Sequence, residues 1–405
     1  MLLLCIACTL SPSRVHAQKV DSTTTSSSLY VDQDTFMSPP TDQDYTMGFM
    51  FGHTGPWVVR HHLDVLVQAV DLLTFANRLH TKALQAPNPQ KKNFAVDAFM
   101  LGVSAFTPLK GVNGSILSET QAISNDRPYA CLAYATARRT SATARYAITT
   151  DLAIGWLGSN ICRNFQSYWH AHWGHDVHPG GWAHQISNGG EPTAKYRLAS
   201  TFLLGARELA SLRAVDYSMP PSVMYDVVAD AEGNAGYYTN VATGLRLRLG
   251  HIRSAFWSAD RRPISPISIQ TACAKDQVTP NDTLSCDAAA IRQMRKATPS
   301  FWQRTEIYGW VSGGATGWFY NALLQGQFRP SDVTLSYYGK PTPPGVAALN
   351  PLVADWQWGG TLTYSKLSLS YQYNSETALF NGPNRRHHAW GGLYLSWGFG
   401  KQGLT

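Results

Sequence analysis

Between Tyr238 and Gly250 the chain alternates strictly, with Leu245, Leu247 and Leu249 on one side and Arg246 and Arg248 on the other. Period two marks a β-strand with two unlike faces. Two arginines on one face are hard to place in a dry core, where an uncompensated charge is costly. They are easily placed in a polar lumen, with the leucines facing lipid. The pattern recurs at Leu367, Leu369, Tyr371 and Tyr373, which oppose Ser368, Ser370, Gln372 and Asn374. It recurs again at Phe99, Leu101, Val103 and Ala105, and at Tyr146, Ile148, Leu152, Ile154 and Trp156.

Further strands are expected over residues 30–36, 44–52, 195–206, 223–229, 305–312, 354–364 and 390–399, with another after Tyr129. The total is roughly twelve, an even number, as expected of bacterial barrels. Charged residues make up 15% of the chain, against about 25% in ordinary globular domains. Aromatic residues reach 12%, with 13 Trp and 19 Tyr. Beyond the N-terminus no apolar run approaches the ~18 residues of a spanning helix. These features fit an all-β, antiparallel transmembrane β-barrel with aromatic girdles, ahead of the rival soluble β-sandwich.

Residues 1–17 read as a secretory signal ending at Val15-His16-Ala17, although a positive n-region is missing. Residues 18–28 read as a flexible polar lead-in, and 29–405 as the barrel. Leu63, Leu66, Val67, Val70 and Leu73 recur at helical spacing, which predicts one amphipathic helix over 62–83. Its expected role is core-facing packing, with an interfacial membrane helix as the rival. Residues 252–300 show no clear periodicity and read as a long loop or small subdomain. The closely spaced Cys273 and Cys286 are candidates to close a loop there. Cys131 and Cys162 lie on different elements and read equally well as isolated apolar fillers. The net charge of +7 suits a surface facing phosphorylated lipid. Nothing in the chain points to nucleic acid, and no residue fixes an oligomeric state.

The densest chemistry lies in the connection over 157–194. The stretch Trp156 to Gln185 carries five histidines, four tryptophans and Asp176. Gln166 and His170, four apart, share a helix face. A loop excursion on a rigid sheet is where function concentrates. The run His170, His172, His175 and His178 also permits a transition-metal site, but its spacings fit no standard zinc pattern.

Several motifs taken in order carry a resemblance. They are Asp32-Gln33-Asp34, Asp44-Tyr45-Thr46-Met47-Gly48, Phe106-Thr107-Pro108 and Asp126-Arg127-Pro128-Tyr129-Ala130. Gln166 with His170, Gly174, and Pro179-Gly180-Gly181-Trp182 then follow. Together they resemble the outer-membrane lipid A 3′-O-deacylases. The resemblance implies a twelve-stranded barrel in the outer membrane of a Gram-negative bacterium, with a helix in an extracellular loop. It implies an active site facing outside, between that helix and the barrel wall, and calcium-dependent hydrolysis of the 3′ acyloxyacyl ester of lipid A. The partner is then lipid A, or lipopolysaccharide, in the outer leaflet.

By the same resemblance His170 takes the general-base position, and Asp34 and Thr46 take wall positions around the site. Gln33 stands where the family has Asn, and Asp176 where it has Glu. The family's lysine has no clean match, since Lys110 is displaced by a few residues. Cys131 replaces a usual Gly, and Met47 a frequent Asn. Calcium, if bound, would take oxygen from Asp34 and Gln33. Two rivals remain: a non-catalytic barrel with a structural or lipid-binding role, and an outer-membrane phospholipase. No Gly-x-Ser-x-Gly elbow supports the second.

Overall fold

A computed structural model of the chain describes residues 25–36, 44–86, 94–108, 126–173, 180–208, 223–258, 301–329 and 348–399. The expected signal segment, the Cys273/Cys286 pair, Lys110, Asp176 and most of the 252–300 insertion lie outside these residues.

The strands are β1 (Thr25–Gln33), β2 (Asp44–Thr54), β3 (Phe94–Thr107), β4 (Ala130–Ala142), β5 (Tyr146–Leu157), β6 (Glu191–Glu208) and β7 (Val223–Gly236). They continue as β8 (Tyr238–Ile252), β9 (Thr305–Asn321), β10 (Ala348–Leu349), β11 (Leu352–Tyr364), β12 (Leu367–Glu376), β13 (Phe380–Asn381) and β14 (His388–Phe399). Twelve of them form one closed antiparallel barrel in the order β1-β14-β12-β11-β9-β8-β7-β6-β5-β4-β3-β2; β10 and β13 pair separately. Closure runs through β1 and β14, with Tyr30 opposite Tyr394, and leaves the barrel no free edge.

Alternation sorts the side chains as the arginines of β8 require. Leu245 and Leu249 are exposed on the outer wall, whereas Arg246 and Arg248 are buried inside. Arg248 donates to Asp226 on β7, and Arg246 donates to the Phe256 carbonyl oxygen. A second interior network links β4, β5, β6 and β7. Arg138 makes a two-pronged contact with Asp151 at 2.5 and 2.8 Å. Arg197 donates to Asp151 at 2.9 Å and to Glu232 at 2.7 Å. Outward aromatic residues gather at both ends. Trp156, Phe319, Trp356 and Trp358 stand towards one end, and Trp302, Tyr364 and Phe399 towards the other. No helix among the described residues is long and apolar enough to cross a membrane.

Three expectations need correction. β1 begins at Thr25, inside the stretch expected to be a flexible lead-in, because its serines pair with β2 and β14. It also ends at Gln33, and Asp34–Phe36 forms a 3-10 turn rather than more strand. The single helix over 62–83 is instead three: α1 (Pro56–Arg60), α2 (Val65–Leu73) and α3 (Ala76–Gln85). The breaks fall beside His62 and at Phe75, whose φ values of 58° and 60° are left-handed and end a right-handed helix.

These helices dock at the end of the barrel away from the β1–β2 connection. Asp71 of α2 accepts hydrogen bonds from Thr150 at 3.1 Å and Tyr196 at 2.8 Å. His80 of α3, fully buried, bonds Ser141 at 2.8 Å and Thr150 at 3.0 Å. Burial, with Arg139 nearby, pushes the His80 imidazole down to about 3, so it stays neutral in the fold. An unfolded histidine titrates near 6.5. Between those values the unfolded chain takes up a proton that the folded chain refuses, so the His80 contribution to stability falls with pH. Asp71, raised by burial, runs the opposite way. The two are separated by comparing wild type with His80→Gln in denaturant titrations from pH 7 to pH 4. The variant is expected to gain on wild type steadily as the pH drops below about 6.5; parallel curves would contradict the assignment.

Candidate functional site

Three of the expected site residues, Gln33, Asp34 and Thr46, lie near the β1–β2 connection. Asp32 faces the interior and is fully buried, so the next residue, Gln33, turns outward. In register Gln33 stands opposite Met47 on β2. Asp34 follows as the first residue of the 3-10 turn and is buried.

On β2 the pairing with β3 shifts between Tyr45 and Met47, so Thr46 is the extra residue of a bulge. Bulges re-aim side chains at sheet rims. Tyr45 turns into the lumen against Phe106, with ring centroids 5.1 Å apart. Thr46 instead pairs its hydroxyl with that of Thr107 at 2.5 Å, and both are buried. The bulge is braced from inside. Arg386 donates to both carboxylate oxygens of Asp44, at 2.7 and 2.8 Å, and to Asp126 at 2.8 Å. Asp44 itself adopts a left-handed φ of 65°. His388 Nε2 accepts the Tyr45 backbone N–H at 3.0 Å, which fixes that nitrogen as the unprotonated one. Arg127 lies 3.8 Å from Asp44 and 4.4 Å from the Phe106 ring centre, the wall position of a structural ion-pair partner.

The β5–β6 connection folds back over this sector. Its helix α4 (Ile161–Trp173) buries Cys162 and Gln166 and leaves Ile161, Phe165 and Tyr168 exposed. Cys162 belongs to an apolar cluster on the outer wall with Ala105, Tyr129, Cys131 and Trp182, against which Met47 and Val103 pack. Trp182 donates to the Gln166 side-chain oxygen at 2.8 Å and stacks on Tyr129 at 4.8 Å. Gly181, at φ 82°, brings the backbone so near Tyr129 that a Cβ would sit 2.6 Å from its ring. The legs of the connection are tied to β4 by Gly158 N–H to the Cys131 carbonyl oxygen and Ile186 N–H to that of Tyr129, both 2.8 Å.

Cys131 and Cys162 are not isolated fillers: they form a disulfide joining β4 to α4. Sequence reasoning noted Cys131 as an oddity but missed its partner, which only the folding back of α4 brings near. Thr107 was also missed as a site residue; its signal was the Phe106-Thr107-Pro108 motif. Of the expected residues, Gln33 stands opposite Met47 and Thr46 precedes it, and Met47 packs against the cluster that holds the base of α4. His170 lies on α4 one turn beyond Gln166, and its side chain, like Asp176, is outside what is described.

Below α4 an apolar trough runs along the outer wall. Gly102, Ala133, Ala135 and Gly155 form its floor, and Phe49, Leu101, Ile154 and Trp156 its sides. Inside, the barrel holds a separate cavity of about 190 Å³ whose lining includes Asp32, Arg138, Lys195, Arg197 and Glu232 beside many aromatic and aliphatic side chains.

A closed barrel with an apolar outer wall, aromatic belts and an ion-paired interior defines a multi-pass protein of the outer membrane. Residues 2–399 match the family model described as outer membrane protein LpxR, and the chain belongs to that family. Among solved structures it is similar to LpxR from Salmonella typhimurium, with a TM-score of 0.61 and 13% identity, over 92% of this chain and 100% of that one. At that identity the likeness concerns the fold. The β domain of the Bordetella autotransporter BrkA matches with a TM-score of 0.37 at 8% identity, covering 93% and 99% of the two chains. An outer membrane channel from Pseudomonas putida F1 gives 0.37 at 9%, covering 93% and 95%. No curated protein matches the chain in sequence.

Proposed function

We propose that this barrel is a lipid A 3′-O-deacylase whose site opens from its outer wall towards the outer leaflet. One observation carries the reading: a bulge turns Thr46 towards Thr107, and its neighbour Met47, opposite Gln33, packs against the outer-wall cluster that holds the base of α4. An ester held in a membrane leaflet reaches such a site from the side, and the trough below α4 offers its acyl chains an apolar surface.

In this reading a neutral His170 takes a proton from water as the water oxygen attacks the ester carbonyl carbon. Collapse of the tetrahedral species breaks the bond to the glucosamine 3′ oxygen, which receives the proton. The products are a free acyloxyacyl fatty acid and a 3′ hydroxyl. Thr46, held by Thr107, would orient substrate, and Asp176 would orient the imidazole.

The donor chemistry suits calcium, since Asp34, Gln33 and Thr46 offer only oxygen. No cluster of three or more His, Cys, Asp or Glu side chains fit for a metal occurs among the described residues. Asp34 and Gln33 would therefore hold the ion together with backbone, water or substrate oxygens. When bound, it would polarise the ester carbonyl.

The test is mass spectrometry of lipid A from a Gram-negative host expressing the chain, beside the empty host, with the purified enzyme assayed before and after chelation. The expected result is loss of one 3′ acyloxyacyl unit, abolished by chelator and restored by calcium. Unchanged lipid A with the barrel correctly inserted would overturn the reading in favour of a binding or structural role.

A further inference from the structure

The structure assigns the Cys131–Cys162 disulfide a positioning role: it clamps α4 against the barrel wall and so fixes the helical turn that carries His170. The inference rests on the deacylase reading for its kinetic consequence, but not for its structural one.

Three facts carry it. Cys162 lies in the first turn of α4, Gln166 follows after four residues and His170 after four more, so the three run along one stripe of the helix. The first is bonded covalently to β4, and the second is bonded to Trp182, which stacks on Tyr129 at the start of the same strand sector. Cys162 and Gln166 are also the buried members among the described side chains of α4, so the helix rests on a narrow footing. A helix of 13 residues is marginal by itself and takes its stability from what it docks on. A covalent bond at one end of the stripe thus restricts both the rotation and the lift of the turn that carries His170.

The placement also suits the compartment, because disulfides persist at the periplasm and cell surface. Both cysteines are buried, within the apolar cluster between α4 and the wall.

The experiment compares folded wild type, wild type reduced after folding with a phosphine, the reduced protein re-bridged with dibromobimane, and the double variant Cys131→Ser/Cys162→Ser. Gel mobility before heating reports the barrel, hydrogen exchange reports the α4 amides, and 3′-acyl release from lipid A gives kcat and KM separately. The barrel is expected to persist in all four. Without the clamp, α4 amides exchange at least ~10-fold faster, and kcat falls about 10- to 100-fold, the scale of a displacement near 1 Å. KM changes by less than about threefold, because the groups that bind lipid stay on the wall, and re-bridging restores kcat. Equal exchange and equal kcat with and without the bond overturn the proposal, and so does a loss confined to KM. If the serine pair fails to assemble, reduced wild type carries the same comparison. If oxidised wild type releases no acyl group while α4 exchange still depends on the bond, the deacylase reading fails and the clamp stands.

Discussion

Replacing His170 with alanine is expected to lower 3′-acyl release about 10²- to 10⁴-fold, the span a positioned general base contributes. The loss should fall on kcat, with KM little changed, because the imidazole acts on water and not on the lipid chains that dominate binding. Lipid A extracted from cells expressing the variant should look like that of the empty host. The base of α4 is fixed to the wall at Cys162 and Gln166, against the cluster on which Met47 packs, with His170 one turn farther along. A variant with wild-type kcat would remove His170 from the mechanism. The histidines at 172, 175 and 178 of the same connection would then need testing in turn.

The second large effect concerns the barrel itself. Asp151 is buried in the lumen and accepts from Arg138 at 2.5 and 2.8 Å and from Arg197 at 2.9 Å. Asp151→Ala leaves two guanidinium groups facing each other across a space that no longer holds their counter-charge. Removing one partner of a buried ion pair typically costs about 3–5 kcal/mol. The loss should be partial, because Arg197 retains Glu232 at 2.7 Å. Asp151→Asn keeps the acceptor oxygen and should lose less than the alanine variant. Denaturant unfolding in micelles, read by the tryptophan signal and by gel mobility, checks both. Equal stability of the alanine variant and wild type would show that water in the lumen solvates these charges freely.

Much of this barrel could be read from the chain because a period of two survives any detail of packing. Arg246 and Arg248 required an interior that tolerates charge, and the structure pairs Arg248 with Asp226. The ends of elements were harder to see. Ser26 and Ser28 resemble a linker by composition, yet a closing strand needs only backbone partners on both sides. The left-handed turn at Phe75 leaves no mark, since an aromatic residue is uncommon there, and that at His62 leaves a faint one, since histidine is enriched at such positions without marking them.

The candidate site residues came from motifs, and their arrangement in space could not be read from them. A bulge adds one residue without announcing it, so the outward turn of Thr46 followed only from the shifted pairing of β2 with β3. The brace behind that bulge joins Asp44 to Arg386, hundreds of positions later, because β14 closes the barrel near β2. The pairing of Cys131 with Cys162 was hidden for the same reason. Close spacing drew attention to Cys273 and Cys286, whereas helix docking brings a strand cysteine and a helix cysteine together across 31 positions.

A site on the outside of the wall, as proposed, would change how substrate is counted. A catalyst that meets its substrate by lateral drift responds to molecules per unit area of membrane, not to molecules per volume of solution. Diluting the membrane with inert lipid or detergent should slow this barrel even when total lipid A is constant. Diluting the whole suspension should leave the rate per barrel unchanged. The encounter is two-dimensional because the trough of Gly102, Ala133, Ala135 and Gly155 lies in the plane where the lipids move.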